Sequence, residues 1–350
     1  MQLDRIFRTA VDYEASDIYI TTGTKPVLRI HGELIFIEEH PVLTKEKAEE
    51  YIFETMKDDE KKEFLEKSDV DFALEIPEVA RFRVNVLRQR KGIGAFFRLI
   101  PTQIQSMDEL NLPLQLKRIP SFENGIVLVT GPTGSGKSTT LASLVNEINA
   151  TQKQHIITVE DPIEFIHDNK MSVVDQREVG KHTMSFANAL RASLREDPDV
   201  MLIGEMRDLE TIALAITAAE TGHLVFATLH TSGSGKTIDR IIDAFPPTQQ
   251  NQIRIQLAES LRCVVWQTLL KRKDVPGRVG AYEILFANHA VGNLIRRNKT
   301  FQIPSVLETG MKEGMQTMKH SIMGLLQAGL ISSETAQEYL LEELPQNSIP

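Results

Sequence analysis

The chain has 350 residues, 41% of them hydrophobic and 25% charged, with a net charge of −9 and a pI of about 5.6; this excludes a disordered polar chain and leaves room for two domains. The acidic balance argues against a protein that holds nucleic acid on a general basic surface. A single cysteine, Cys263, excludes a disulfide or an all-cysteine zinc site within one chain, and no basic-then-apolar leader or run of eighteen apolar residues is seen, so a cytoplasmic protein without a transmembrane segment is expected.

In chain order, residues 1–100 read as an α+β domain with an opening amphipathic helix, strands near 18–20, 27–30 and 34–37, and a charged helix from Lys45. Further on, Arg81-Phe82-Arg83-Val84-Asn85-Val86 alternates with period two, which sets Arg81 and Arg83 on one face, and a strand over 95–98 carries a third arginine, Arg98. The pattern alone fits three solvated sheet arginines equally well. Residues 101–120, with proline at both ends and at Pro113, read as a linker. Over 121–287 apolar strands alternate with helices, the pattern of a parallel α/β sheet. The remainder, 288–350, reads as helical, with a helix over 318–327, a stop at Gly329 and a restart after Ser332-Ser333-Glu334.

The most informative run is Gly131-Pro132-Thr133-Gly134-Ser135-Gly136-Lys137-Ser138, a full G-x-x-x-x-G-K-[ST] pattern between an apolar strand, 126–129, and a helix, 138–149. Small residues let successive backbone N–H groups curl around phosphates, and the helix N-terminus adds positive potential. Lys137 then reaches the β and γ oxygens, the Ser138 hydroxyl ligates Mg²⁺, and Thr139 follows in the first turn of the helix as a further nucleotide contact. ATP and Mg²⁺ are the expected cofactors. A second run, Gly233-Ser234-Gly235-Lys236-Thr237, has His230 where the first glycine belongs and reads as a turn closing the strand 224–229.

Polar clusters close the other strands of the second domain, where open parallel sheets place their ligands. The strand 156–159 ends in Glu160-Asp161-Pro162-Ile163-Glu164, and one of these three carboxylates is expected to orient the attacking water. The strand 199–203 ends in Gly204-Glu205; glycine stands where the usual metal-facing aspartate belongs, so Glu205 reads as a longer-armed substitute that holds Mg²⁺ through water. His223 and His230 bracket the next strand, and contact with the γ-phosphate or with a neighbouring subunit is expected of them.

Together these strings resemble the pilus-retraction, or twitching-motility, ATPases of the type II/type IV secretion superfamily, the PilT family. Residues 157–165 are similar to that family's aspartate box, and 194–199 lead into a Walker B with glutamate alone. Residues 219–224 with 229–231 are similar to its histidine box. Ser16-Asp17-Ile18-Tyr19 and Arg29-Ile30-His31-Gly32 resemble its PAS-like N-terminal domain, with Tyr19 where histidine is common. The resemblance implies an α/β chain: a PAS-like α+β domain, a RecA-like core and a helical C-terminal segment. It further implies a homohexamer, ATP hydrolysis that draws pilin subunits into the inner membrane, and an inner-membrane platform protein as partner on the cytoplasmic face. It assigns the catalytic base to Glu164 and the Walker B role to Glu205, and makes Arg81, Arg83 and Arg98 nucleotide contacts from the N-terminal domain. One departure is visible: Ala290-Val291-Gly292-Asn293-Leu294-Ile295 carries Gly292 where the family's retraction motif has arginine.

Two other functions fit parts of the pattern. A pilus-assembly or type II secretion ATPase usually carries a four-cysteine zinc insertion, which one cysteine cannot build. A hexameric DNA translocase or helicase would want an aromatic-and-basic stretch that the chain lacks. A nucleotide-binding protein without turnover would have no need of both Glu164 and Glu205.

Overall fold

The computed structural model describes residues 3–30, 32–100 and 103–342, so His31 and the start of the expected linker lie outside the described residues. The chain divides into two units that part between Gln103 and Ile104.

The first unit runs α1 (Asp4–Asp12), β1 (Asp17–Thr21), β2 (Val27–Ile30), β3 (Glu33–Phe36), α2 (Lys45–Glu54), α3 (Asp58–Lys67), β4 (Asp69–Ile76), β5 (Ala80–Gln89) and β6 (Gly92–Ile100). Its strands form one antiparallel sheet in the order β3-β2-β1-β6-β5-β4. Alternation decides the faces of β5: Phe82, Val84 and Val86 are buried, and Phe82 and Phe97 pack on Phe7 of α1 with ring centroids 4.8 and 5.1 Å away. Arg81 and Arg83 take the other face. Arg83 stands directly opposite Arg98 on β6, a like-charge pairing that costs free energy, and Asp17 offsets it through an ion pair with Arg98 at 3.0 Å.

The second unit runs β7 (Gly125–Thr130), α4 (Lys137–Thr151), β8 (His155–Glu160), β9 (Val173–Glu178), α5 (Phe186–Ser193), β10 (Val200–Ile203), α6 (Leu209–Glu220) and β11 (Leu224–Leu229). It continues with α7 (Ser234–Asp243), α8 (Pro247–Ser260), β12 (Leu261–Lys271), β13 (Arg278–Phe286), α9 (His289–Arg296), α10 (Ile303–Thr309), α11 (Met318–Gln327) and α12 (Ser333–Glu342). The sheet order is β13-β12-β7-β11-β10-β8-β9, parallel throughout except for the β12–β13 hairpin at one edge. Strands β7, β10 and β11 are buried along their whole length, which is why they read as continuous apolar runs rather than alternating ones.

The stretch expected to be a linker is packed instead. Met107, Leu112, Leu116 and Ile119 are buried in the core of the second unit, because proline here shapes a compact 3₁₀ turn over Leu114–Ser121 rather than an open tether. Cys263 is fully buried in β12, and burial pushes its thiol up, away from reactivity. In α9, Gly292 is buried facing α8; a Cβ there would make ordinary contact with the Ala258 carbonyl at 3.4 Å and the Arg296 guanidinium at 3.5 Å. A separate apolar cluster, Leu270, Ala281, Met318, Ile322, Ile331 and Ala336, joins α11 and α12 to the β12–β13 hairpin. Among the described residues, no helix is long and apolar enough to cross a membrane.

Candidate active site

Because β7, β11, β10 and β8 are parallel and in register, their carboxyl ends share one edge of the sheet: Thr130 lies opposite Leu229, Ala227 opposite Ile203, and Ile203 opposite Val159. The residues that follow each strand therefore converge: the phosphate loop after β7, Glu160 and Glu164 at and after β8, Glu205 after β10, and His230 after β11.

The loop is shaped by close backbone approach. Gly131, Gly134 and Gly136 have φ of +145°, +77° and +86°, conformations that side chains resist. At Gly131 a Cβ would meet the Gln267 carbonyl oxygen at 2.2 Å and Ser135 Oγ at 2.8 Å, so the first glycine is dictated by β12 behind it. Pro132, Thr133 and Gly134 are exposed, while Ser138 and Thr139 are half-buried in the first turn of α4. Ser135 Oγ is buried and has no hydrogen-bond partner among the described residues. Lys137 Nζ donates to the carbonyls of Gly131 (2.9 Å) and Pro132 (3.0 Å).

Electrostatics tie the loop to the acidic groups. Burial pulls the Lys137 ammonium below its usual range, with the carboxylates of Glu205 and Glu164 opposing in part. Glu205 pairs with Arg207 at 2.7 Å and with His230 Nε2 at 3.4 Å. The Arg207 hydrogen bond holds its carboxyl below the usual range, with burial opposing and the His230 charge helping. Glu160 differs: burial lifts its carboxyl to about 6, against hydrogen bonds donated by Thr158 Oγ1 (2.6 Å) and Gln176 Nε2 (3.3 Å). Glu160 and Glu205, with opposed shifts, suit different tasks, and Glu164, whose side chain is exposed, is open to meet a water. Gly204 also has a reason: a Cβ would lie 3.2 Å from Glu160 Cα, so β8 crowds out a side chain at the position where an aspartate was expected.

Two expectations change. His223 stands at the opposite end of β11, where its carbonyl accepts the Gly125 N–H (3.0 Å) and its Nδ1 lies 2.9 Å from Ala218 O and 3.2 Å from Thr221 Oγ1. A strand of 6 residues separates it from the loop, about 20 Å at roughly 3.3 Å per residue. It therefore closes the α6–β11 turn and makes no contact with a phosphate held by this chain's loop. The run Gly233–Thr237 opens α7 rather than forming only a turn, and Ser234 N–H and Oγ both donate to Glu283 Oε1 at 2.8 Å. A carboxylate thus fills the helix N-terminus that a second phosphate would need. Arg81, Arg83 and Arg98 lie in strands of the first unit, as the alternation places them.

Sequence reasoning missed Gln267, Arg207 and Arg278. Gln267 is 1% exposed on β12; its Nε2 donates to Ser135 O at 2.8 Å, so it buttresses the loop from beneath. The signal was present as one amide inside the apolar run 263–270, a place where polar residues require a partner. Arg278, across the hairpin, donates from Nη1 to Gly134 O at 3.4 Å. Nothing in its local sequence marks it.

The pattern of the family described as "Type II/IV secretion system protein" matches residues 1–340. Over 332 residues the chain is 51% identical to a twitching motility protein of Neisseria gonorrhoeae, covering 95% of this chain and 88% of that protein. Over 347 residues it is 47% identical to the type IV pilus retraction ATPase PilT of Pseudomonas aeruginosa, covering 99% and 100%. A crystal structure of the pilus retraction motor PilT with bound ADP aligns with a TM-score of 0.89 at 46% identity over 95% of each chain.

Proposed function

The chain belongs to the type II/IV secretion system protein family and is an ATPase that powers type IV pilus retraction and twitching motility; on that premise we propose that it works as a homohexamer on the cytoplasmic face of the inner membrane, against a platform protein of the pilus machinery. In this reading the first unit is a PAS-like domain, residues 121–287 are a RecA-like core, and the helical region from 288 onward carries the retraction segment. Arg81, Arg83 and Arg98 contact nucleotide from the first unit, since an arginine presented across a subunit interface couples charge stabilisation to subunit position. His223, far from its own chain's loop, is read as facing a neighbouring subunit.

Within the site, the loop N–H groups and Lys137 hold the β and γ phosphates, and Ser135 Oγ offers an unused buried hydroxyl beside them. The residues fit a magnesium ion: Ser138 lies in the first turn of α4, and Glu205 is held ionised by Arg207. That ion needs few protein ligands, since phosphate oxygens and water complete its shell. Mg²⁺, when bound, neutralises charge on the β and γ oxygens. Glu164 orients water against the γ-phosphorus and takes its proton. What carries the assignment is the convergence at one edge of the parallel sheet of the phosphate loop after β7, Glu164 after β8 and Glu205 after β10.

The test is Glu164→Gln, which keeps size and hydrogen bonding and removes the base. ATP binding stays near wild type and hydrolysis falls to a slow residual rate. Normal hydrolysis in this variant moves the base elsewhere, with Glu160 the next candidate.

A further inference from the structure

Glu164 lies in a segment, 161–167, with no regular hydrogen-bond ladder of its own. Its side chain is exposed, while those of Ile163, Phe165 and His167 on either side are buried. Such a segment defines the reach of a catalytic carboxylate only if something fixes its backbone. Two side chains of β9 do so. The Ile163 N–H donates to Glu178 Oε2 at 3.2 Å, one residue before Glu164. One residue after it, Phe165 O accepts from Gln176 Nε2 at 2.8 Å, and the His167 N–H donates to Gln176 Oε1 at 2.8 Å. Both ends of one amide thus hold this segment, and its Nε2 also reaches Glu160 Oε1 at the end of β8 (3.3 Å).

The source of these contacts is itself well placed. Gln176 and Glu178 are two apart on β9 and so share a face, and parallel register sets them opposite Thr158 and Glu160 of β8. Glu178 is 4% exposed, and its Oε1 pairs with Lys181 Nζ at 2.5 Å, which fixes the carboxylate that receives Ile163.

We propose that Gln176 and Glu178 are positioning residues for Glu164, clamping the 161–167 backbone so that its carboxylate meets the water at the phosphate site. This rests on the reading of Glu164 as the base. A displacement of about 1 Å at a reacting group costs about a hundredfold in rate, so loss of the clamp acts on turnover and leaves the phosphate loop's grip on nucleotide alone.

The experiment is a double-mutant cycle on the full chain, read by single-turnover ATP hydrolysis per bound nucleotide, with ATP affinity and the thermal midpoint measured in parallel. Gln176→Leu keeps bulk and loses all three hydrogen bonds; its turnover is expected to fall between about tenfold and a hundredfold with ATP affinity near wild type. In a Glu164→Gln background the same change is expected to add nothing, because no base remains to be positioned. Wild-type turnover in Gln176→Leu, or losses that multiply in the double variant, overturns the clamp while leaving the base assignment intact. Normal hydrolysis in Glu164→Gln alone overturns the base reading and the clamp together. If Gln176→Leu does not fold, Gln176→Glu replaces it in the same cycle: it keeps an acceptor for His167 and turns a carboxylate oxygen against Phe165 O, and the same outcomes decide.

Discussion

Adding one carbon to the first glycine of the phosphate loop gives a test whose size follows from the structure. Gly131 has φ +145°, a region nearly reserved to glycine, where another residue costs about 1–3 kcal/mol. Its new Cβ would lie 2.2 Å from the Gln267 carbonyl oxygen, over an ångström inside ordinary contact. That oxygen belongs to β12, which is laddered to β7 on one side and β13 on the other, so it does not yield readily. Overpacking of this kind adds about 1–3 kcal/mol. Gly134 is the matched control: its φ is +77° but nothing lies within 4 Å of a Cβ, so Gly134→Ala costs about 1–2 kcal/mol from backbone strain alone. Denaturant melts of both variants, with ATP titrations alongside, are expected to show Gly131→Ala destabilised by about 2–6 kcal/mol in total and deficient in ATP binding, and Gly134→Ala much less affected. Equal destabilisation of the two, or normal ATP binding by Gly131→Ala, refutes the idea that β12 dictates the loop.

Lys137→Ala removes a charge aimed at the transferring phosphoryl group and is expected to cut kcat by about a hundredfold or more, about 2–4 kcal/mol; a phosphate-release assay at saturating ATP checks it. Glu205→Ala is expected to raise the Mg²⁺ concentration needed for half-maximal turnover, and an unchanged Mg²⁺ titration removes Glu205 from the metal site. Two buried groups pull the pH dependence of stability in opposite directions. Burial raises Glu160 from 4.5 to about 6, so the folded state holds the extra proton between those values and this contribution falls as pH rises through that window. Burial lowers His167 from 6.5 to about 4, so the unfolded state holds the extra proton and stability rises with pH between about 4 and 6.5. The slopes oppose in the wild type: His167→Phe is expected to leave stability falling from about pH 4.5 to 6, and Glu160→Gln to leave it rising, as urea melts across pH 4–7 would reveal.

Local patterns made much of this protein legible. Buried parallel strands are apolar along their whole length, so β7, β10 and β11 stood out, and a phosphate loop needs its glycines and lysine in a fixed spacing that local sequence records. Glu164, Glu205 and His230 were singled out because they follow strand ends, and parallel register brings those ends to one edge of the sheet. His223 misled for the same reason inverted: its nearness to a strand end said nothing about which end faces the loop. Gln267, Gln176 and Glu178 act across the sheet, and contacts between strands leave no spacing in the chain to read. The packed segment 104–120 was obscured because proline marks an open tether and a tight, buried turn alike.

The claim that hydrolysis here belongs to a ring is tested most directly by the ATPase rate of assemblies mixed from wild-type and Glu164→Gln subunits. Glu164→Gln subunits hold ATP without turning it over, so each one stalls its interface, and activity is expected to fall faster than the fraction of wild-type subunits. A decline in strict proportion to that fraction, or full activity in protein that sediments as a monomer, contradicts the ring.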